Sequence, residues 1–366
     1  MKVGVHKVAM SNPGDVGGLR RLIDSGKVEP RRIIASIGKT EGNGGANDFT
    51  RALATLSFSR LLAQYTGDTP EEVASRIAFV WSGGCEGVLS PHATFFTRED
   101  DSGHPTGEPR LALSVQRTRD FKPEEVGRMA EVEAVAEATR QAIQELAVTN
   151  AQDVHYVQVK GPLLTPAGIK DAAQRGAQVV TTDPNRSKAF ARGASALGVA
   201  LGLGEVSAKS LREEAIASDM DLFSNVASTS AGGELVSCEI LVFANARDAT
   251  SDFRIGHAAL RDAIDADGVR SALRSSGLRL DCEPDAAQRE RIMVVFAKAE
   301  APPSGELRGW RTTMLSDADI NYERHARAAV GAVIASITGD PAIFVSGGTE
   351  HQAPPGQAPI AAIVAC

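Results

Sequence analysis

Ser82-Gly83-Gly84-Cys85-Glu86, Ser230-Ala231-Gly232-Gly233-Glu234 and Ser346-Gly347-Gly348-Thr349-Glu350 are three versions of one string. Each opens on serine, continues through small residues and reaches glutamate four positions later. The first and third follow apolar runs, Ile77–Trp81 and Ala342–Val345. Upstream lie three strand-like runs ending on lysine: Ile33–Lys39, Val154–Lys160 and Ile292–Lys298. Between lysine and serine, Phe49-Thr50-Arg51, Phe190-Ala191-Arg192 and Tyr322-Glu323-Arg324 each open an Ala-rich helical stretch. The order lysine, arginine, serine therefore occurs three times, with loops of different length between the elements. Self-similarity of this kind points to repeated structural units.

The rest of each unit follows by periodicity. Opening strands are expected at 2–10, 110–118 and 252–260, and helices at about 15–25, 124–147 and 261–276. Closing strands are expected at 93–98, 237–244 and 359–365. Each unit reads β-α-β-α-β-β, an α/β pattern. The chain divides into unit A (1–104), unit B (110–249) and unit C (252–366), with boundaries in the polar stretch 100–105 and the turn 247–251. Three like units close around a pseudo-threefold axis, which places three lysines, three arginines and three serines at a central active site.

Composition bounds what such a site does. The 366 residues are 43% hydrophobic and 23% charged, as in soluble globular proteins, and are enough for two or three domains. A net charge of −7 without a basic block, and only 5% aromatics, give no footprint for nucleic acid. The four cysteines, Cys85, Cys238, Cys282 and Cys366, form no CxxC pair, so zinc spacing is absent and a reduced compartment is expected. The N-terminus lacks the apolar run of a signal peptide and no stretch has transmembrane length, so a cytoplasmic protein without membrane partners is expected.

A serine followed by small residues at a strand end exposes a hydroxyl and backbone N–H groups, the parts of a nucleophile and an oxyanion hole. A lysine at a neighbouring strand end serves as base if burial and nearby cations depress its pKa. No histidine recurs with the repeat, so Ser-Lys pairs are favoured over a Ser-His triad. Arginine forks bind oxygens. Gly38-Lys39-Thr40 is not a P-loop, because the earlier glycine position holds Ile33. Cys85 has no counterpart in the other two strings, and a structural or substrate-edge role suits His325 and His351.

Together, Gly38–Gly45, Trp81–Gly84, Val157–Lys160, Arg192–Gly198, Phe296–Ala301 and Val345–Gly348 resemble the cyanuric acid hydrolase and barbiturase family. The resemblance runs from Val3 to the C-terminus. It is closer to the cyanuric acid hydrolases through Thr313–Asn321 and Glu350-His351-Gln352. It implies a cyclic amide hydrolase that opens the triazine ring of cyanuric acid to carboxybiuret, which decarboxylates to biuret. It makes Ser230 the nucleophile and Lys160 its base. Substrate contacts fall to Arg51, Ser82, Gly83, Arg192, Ala231, Arg324, Ser346, Gly347, Lys39 and Lys298. Catalysis needs no cofactor, but a structural magnesium or calcium ion is implied near Glu300, Thr349, Gln352, Ala353, Pro354 and Gln357, and a homotetramer is implied as the assembly. A barbiturase opening a pyrimidine ring, or a non-catalytic binder of a planar cyclic imide, are the alternatives.

Overall fold

A computed structural model of the chain describes all residues except 101, 102 and 106. The linker expected at 100–105 therefore falls partly outside the described residues. Strands β1 (Lys2–Ala9), β2 (Ile33–Thr40), β3 (Ala78–Gly83) and β4 (His92–Glu99) form the first sheet. Strands β5 (Arg110–Arg117), β6 (Val154–Pro162), β7 (Ala227–Gly232) and β8 (Glu239–Ala246) form the second. The third contains β9 (Phe253–Leu260), β10 (Ile292–Ala299), β13 (Phe344–Gly347) and β14 (Ala358–Ala365). A small hairpin of β11 (Glu306–Leu307) and β12 (Trp310–Arg311) projects between β10 and β13 in the chain.

The strand order is the same three times: β1-β4-β2-β3, β5-β8-β6-β7 and β9-β14-β10-β13. In each sheet only the lysine strand and the serine strand run parallel. A parallel pair needs a crossover. Helices α2 (Thr50–Thr66) and α3 (Pro70–Arg76) supply it in the first unit, α5 (Pro166–Gln174) and α6 (Pro184–Leu203) in the second, and α9 (Tyr322–Thr338) in the third. The remaining helices are α1 (Gly17–Asp24), α4 (Met129–Glu145), α7 (Ala266–Ser275) and the short α8 (Ala286–Glu290).

Helix starts differ from the periodic reading where local chemistry intervenes. The segment expected from 124 becomes α4 only at Met129, because Pro123–Glu125 is a separate 3-10 turn and Gly127 has φ 73°. The segment expected from 261 starts at Ala266, where the Asp265 carboxylate caps the Gly268 amide.

Side-chain alternation sorts each sheet into two faces. The outer faces pack under their own helices, as with Phe58, Trp81 and Phe95, with Val135, Val159 and Ile240, and with Leu273, Val295 and Ile334. The inner faces of all three sheets meet in one central cluster. There the Phe96 and Phe243 rings lie 5.2 Å apart, and Tyr156 stacks on Phe296 at 4.7 Å. Burying each such ring contributes about 1.5–3 kcal/mol, so this shared core fastens the units to one another. No helix among the described residues is long and apolar enough to cross a membrane.

Candidate active site

The parallel register fixes the first feature of the site. Lys39 is the cross-strand partner of Ser82, Lys160 of Ser230 and Lys298 of Ser346. Each lysine also reaches the carbonyl just before a serine of another unit. Lys39 donates to Val345 O at 2.7 Å, Lys160 to Trp81 O at 3.3 Å and Lys298 to Thr229 O at 2.7 Å. The three serine turns are thus tied together in a ring.

A second ring runs the other way. Arg51 of the first unit pairs with Glu234 of the second, Arg192 of the second with Glu350 of the third, and Arg327 of the third with Glu86 of the first. The Arg192–Glu350 and Arg327–Glu86 pairs are two-pronged, at 2.6–2.8 Å and 2.6–2.9 Å. The glutamate four positions after each serine recurs in the sequence because it anchors a neighbour's guanidinium. Close packing of these arginines explains glycine in the turns. A Cβ on Gly348, at φ 82°, would lie 2.3 Å from Arg192 Cζ, and one on Gly84, at φ 96°, would lie 2.2 Å from the Glu86 carboxylate.

This corrects one sequence expectation. The arginine in the repeated position of the third unit is Arg327, which is buried. Arg324 lies one helical turn earlier, with a side chain 46% exposed and its Nε 3.5 Å from Glu86. The repeated arginine on α9 is therefore offset by three residues from the aromatic-x-Arg pattern at Tyr322. The usable signal was the run of small residues after the arginine, Ala328-Ala329-Val330-Gly331, which parallels Gly193–Ala196.

The two rings surround a small, half-open cavity lined by Ser82, Ser230, Ser346, the following Gly83, Ala231 and Gly347, and by Arg51, Arg192 and Arg327. Lys160 lines it too. Lys39 and Lys298 are not among the lining residues and sit behind the serines. Lys188 and Glu323, 3.3 Å apart, were not singled out from the sequence. Lys188 reaches the cavity because it stands one helical turn before Arg192 on α6.

The three lysines are fully enclosed, and burial lowers each pKa. Lys39 falls to about 8, with Arg327 contributing after burial. Lys298 falls well below the ordinary value, with Arg192 second. Lys160 is lowered by burial against the opposing pull of Glu234, whose carboxylate is 3.3 Å away. Burial would raise Glu234, but Lys160 and Arg51 outweigh it and hold that carboxyl at about 2. The hydroxyls differ as well. Ser82 accepts from Lys39 at 3.2 Å, whereas Ser230 and Ser346 have buried hydroxyls without a partner among the described residues. Cys85 is pushed up to about 11, chiefly by burial, which leaves it a thiol rather than a nucleophile.

Glu300, Thr349, Ala353, Pro354 and Gln357 line a second cavity on the third unit. Gln352 turns away from it: its Oε1 accepts from the Thr229 amide at 2.7 Å, and its Nε2 donates to Gly348 O and Glu350 O. It braces the strand just before Ser230. His351 is structural, with Nδ1 bonded to Leu222 O at 2.6 Å and Nε2 accepting from the Ala217 amide at 2.8 Å. His325 faces Asp317 at 3.3 Å.

Comparison with known proteins agrees with this architecture. A family described as amidohydrolase ring-opening protein matches residues 4–365. The chain is 68% identical over 364 residues to a cyclic amide hydrolase of Azorhizobium caulinodans, with 100% of both chains covered. It is 50% identical over 366 residues to a cyanuric acid amidohydrolase of Enterobacter cloacae, with 99% of each covered. A solved structure of a cyanuric acid hydrolase matches with a TM-score of 0.94 at 46% identity, covering 100% of this chain and 99% of that one.

Proposed function

This chain belongs to the family of ring-opening amidohydrolases, and from that premise we propose that it opens the ring of cyanuric acid with Ser230 as nucleophile and Lys160 as general base. The observation that carries the choice of pair is that Lys160, alone of the three repeated lysines, lines the cavity, beside a Ser230 hydroxyl with no hydrogen-bond partner among the described residues. Lys298 is committed to two carbonyls, Thr229 O and Gly347 O.

In this reading the neutral Lys160 amine takes the Ser230 proton as Oγ attacks a ring carbonyl. The oxyanion settles against backbone N–H groups of the serine turns and the arginine forks. The lysine ammonium then protonates the leaving ring nitrogen, and the C–N bond breaks. Water, activated by the same amine, hydrolyses the serine ester and releases carboxybiuret, which loses carbon dioxide to give biuret. Threefold substrate symmetry suits the cavity, since cyanuric acid presents three equivalent carbonyl edges to three serine turns and three arginines.

The test is turnover of cyanuric acid and barbituric acid by the purified protein, followed as loss of ring absorbance and appearance of biuret. Cyanuric acid is expected to turn over. Turnover of barbituric acid alone would make the enzyme a barbiturase, and turnover of neither ring would remove the substrate assignment.

A structural cation belongs to the same proposal. Glu300 is partly buried and makes no hydrogen bond or ion pair among the described residues, and it faces the loop of Thr349, Ala353, Pro354 and Gln357. One carboxylate with loop carbonyls suits a hard ion such as magnesium or calcium, with Gln352 contributing through its backbone alone. The ion would hold this loop against the third unit and take no part in the chemistry. Millimolar magnesium or calcium is expected to raise Tm of the wild type and not of Glu300→Gln. Equal shifts in both proteins would remove the ion from this site. The homotetramer, read by sedimentation, is proposed on the same family grounds.

A further inference from the structure

The rung of the sheet that carries each Lys-Ser pair continues across the two remaining strands. In the first unit it reads Ala9–His92–Lys39–Ser82. In the second it reads Arg117–Glu239–Lys160–Ser230. In the third, Ala259 pairs with Pro359, which stands next to the Ala297–Ile360 pair and so beside Lys298. Cross-strand partners share a face and touch. The position flanking the lysine is therefore His92, Glu239 or Pro359. Proline carries no charge, and burial keeps His92 neutral, at about 4. Only the second unit places an ionisable acid there, and Arg117 donates to it at 2.6 Å.

Glu239 is 5% exposed, and its second carboxylate oxygen has no partner among the described residues. Through Arg117 the acid also helps join the second unit to the Ala74, Ser75 and Ile77 carbonyls of the first, whereas histidine and proline fill the same rung elsewhere without a charge. Arg117 satisfies one oxygen only, and the unpartnered one belongs to the cross-strand neighbour of the one repeated lysine that lines the cavity.

We propose that Glu239, held by Arg117, is a positioning residue that sets the proton affinity of Lys160 and thereby distinguishes the second Ser-Lys pair from the other two. The proposal rests on Lys160 being the base. A base that has just taken the serine proton must hold it until the ring nitrogen departs. Burial and Arg51 disfavour that ammonium, Glu234 and Asp48 favour it, and the Lys160 ammonium in turn favours the ionised Glu239 carboxylate across the rung. These groups face Lys160 from every side: Arg51 and Asp48 from α2 and the turn before it, Glu234 from the loop after β7, and Glu239 from β8. Glu239 faces Arg117, Lys160 and the Phe79 backbone, and it lines a pocket shared with Glu71 of α3 and Glu234. Its carboxyl is raised to about 7 by burial, against the pull of Arg117 and Lys160, so it carries negative charge above neutral pH.

Glu239→Gln keeps shape and removes the charge. With less support for its ammonium, Lys160 loses its proton at lower pH. The acid limb of kcat/KM is expected to move down by about one pH unit. The kcat plateau is expected to fall on the order of tenfold, because the weaker base accepts the proton less well, with KM nearly unchanged. Arg117→Met should move the limb the same way, since without the guanidinium Glu239 stays protonated to higher pH. The double variant should move it no further. Circular dichroism and Tm verify that each variant is folded. An unshifted limb in folded Glu239→Gln and Arg117→Met, with Lys160→Ala inactive, overturns the role of Glu239. An active Lys160→Ala instead overturns the base assignment on which it rests.

Discussion

Ser230→Ala and Lys160→Ala are each expected to lower kcat on the order of 10³-fold or more, and the double variant no further. Either change removes the same activated oxygen, so the losses should not add. Lys160 Nζ rests on Trp81 O and Glu234 at 3.3 Å rather than on Ser230. Hydrogen bonds between a nucleophile and its base are often loose before substrate arrives. Ser82→Ala and Ser346→Ala should cost less in kcat, because they remove orientation and leave the attacking hydroxyl. Activity should fall as pH drops and the base becomes protonated. Steady-state kinetics on all five proteins, with Tm as the folding control, decides the matter. Near-full turnover by Ser230→Ala together with an inactive Ser82→Ala would move the chemistry to Lys39 and Ser82, whose atoms already lie 3.2 Å apart.

The arginine ring provides the second large effect. Arg192→Lys and Arg327→Lys are expected to lower kcat/KM on the order of 10²-fold, whereas Arg324→Lys should stay within a few-fold of wild type. Arg192 holds the half-buried Glu350 and Arg327 the buried Glu86, each with two prongs, while both arginines line the cavity. Lysine is a point charge that cannot grip the carboxylate and present a flat fork to a ring oxygen together. The partners lie in different units, so a loosened pair also loosens the joint between two serine turns. Normal kcat/KM in Arg327→Lys beside a large loss in Arg324→Lys would return the third position to Arg324.

Much of the site was legible before any coordinates, because the units repeat. Lys39, Lys160 and Lys298 close apolar runs, and Ser82, Ser230 and Ser346 open strings of small residues. A pattern present three times reports shared geometry that one copy would not. Arg51 and Arg192 were legible by the same comparison. Arg327 was not, because residues three apart on a helix share a face, and only the depth of α9 against the neighbouring unit decides which arginine is buried. Glu86, Glu234 and Glu350 were visible as a recurring residue without a visible partner, since each partner belongs to another unit.

The sequence by itself determined the β-α-β-α-β-β frame of each unit, the threefold count and the identity of the lysines and serines, though not the added helices α3, α5 and α8 or the β11–β12 hairpin. These depend on local period and on comparison of the chain with itself. Only the tertiary structure decided that Lys39 and Lys298 sit behind the cavity while Lys160 enters it, and that Gln352 braces Thr229. It also decided that the rung beside the lysine holds His92, Glu239 or Pro359. Those facts depend on which distant strand lies alongside and on how three sheets meet at one axis. Contacts across such separations are set by the packing of the whole core, and no window of neighbouring residues contains them.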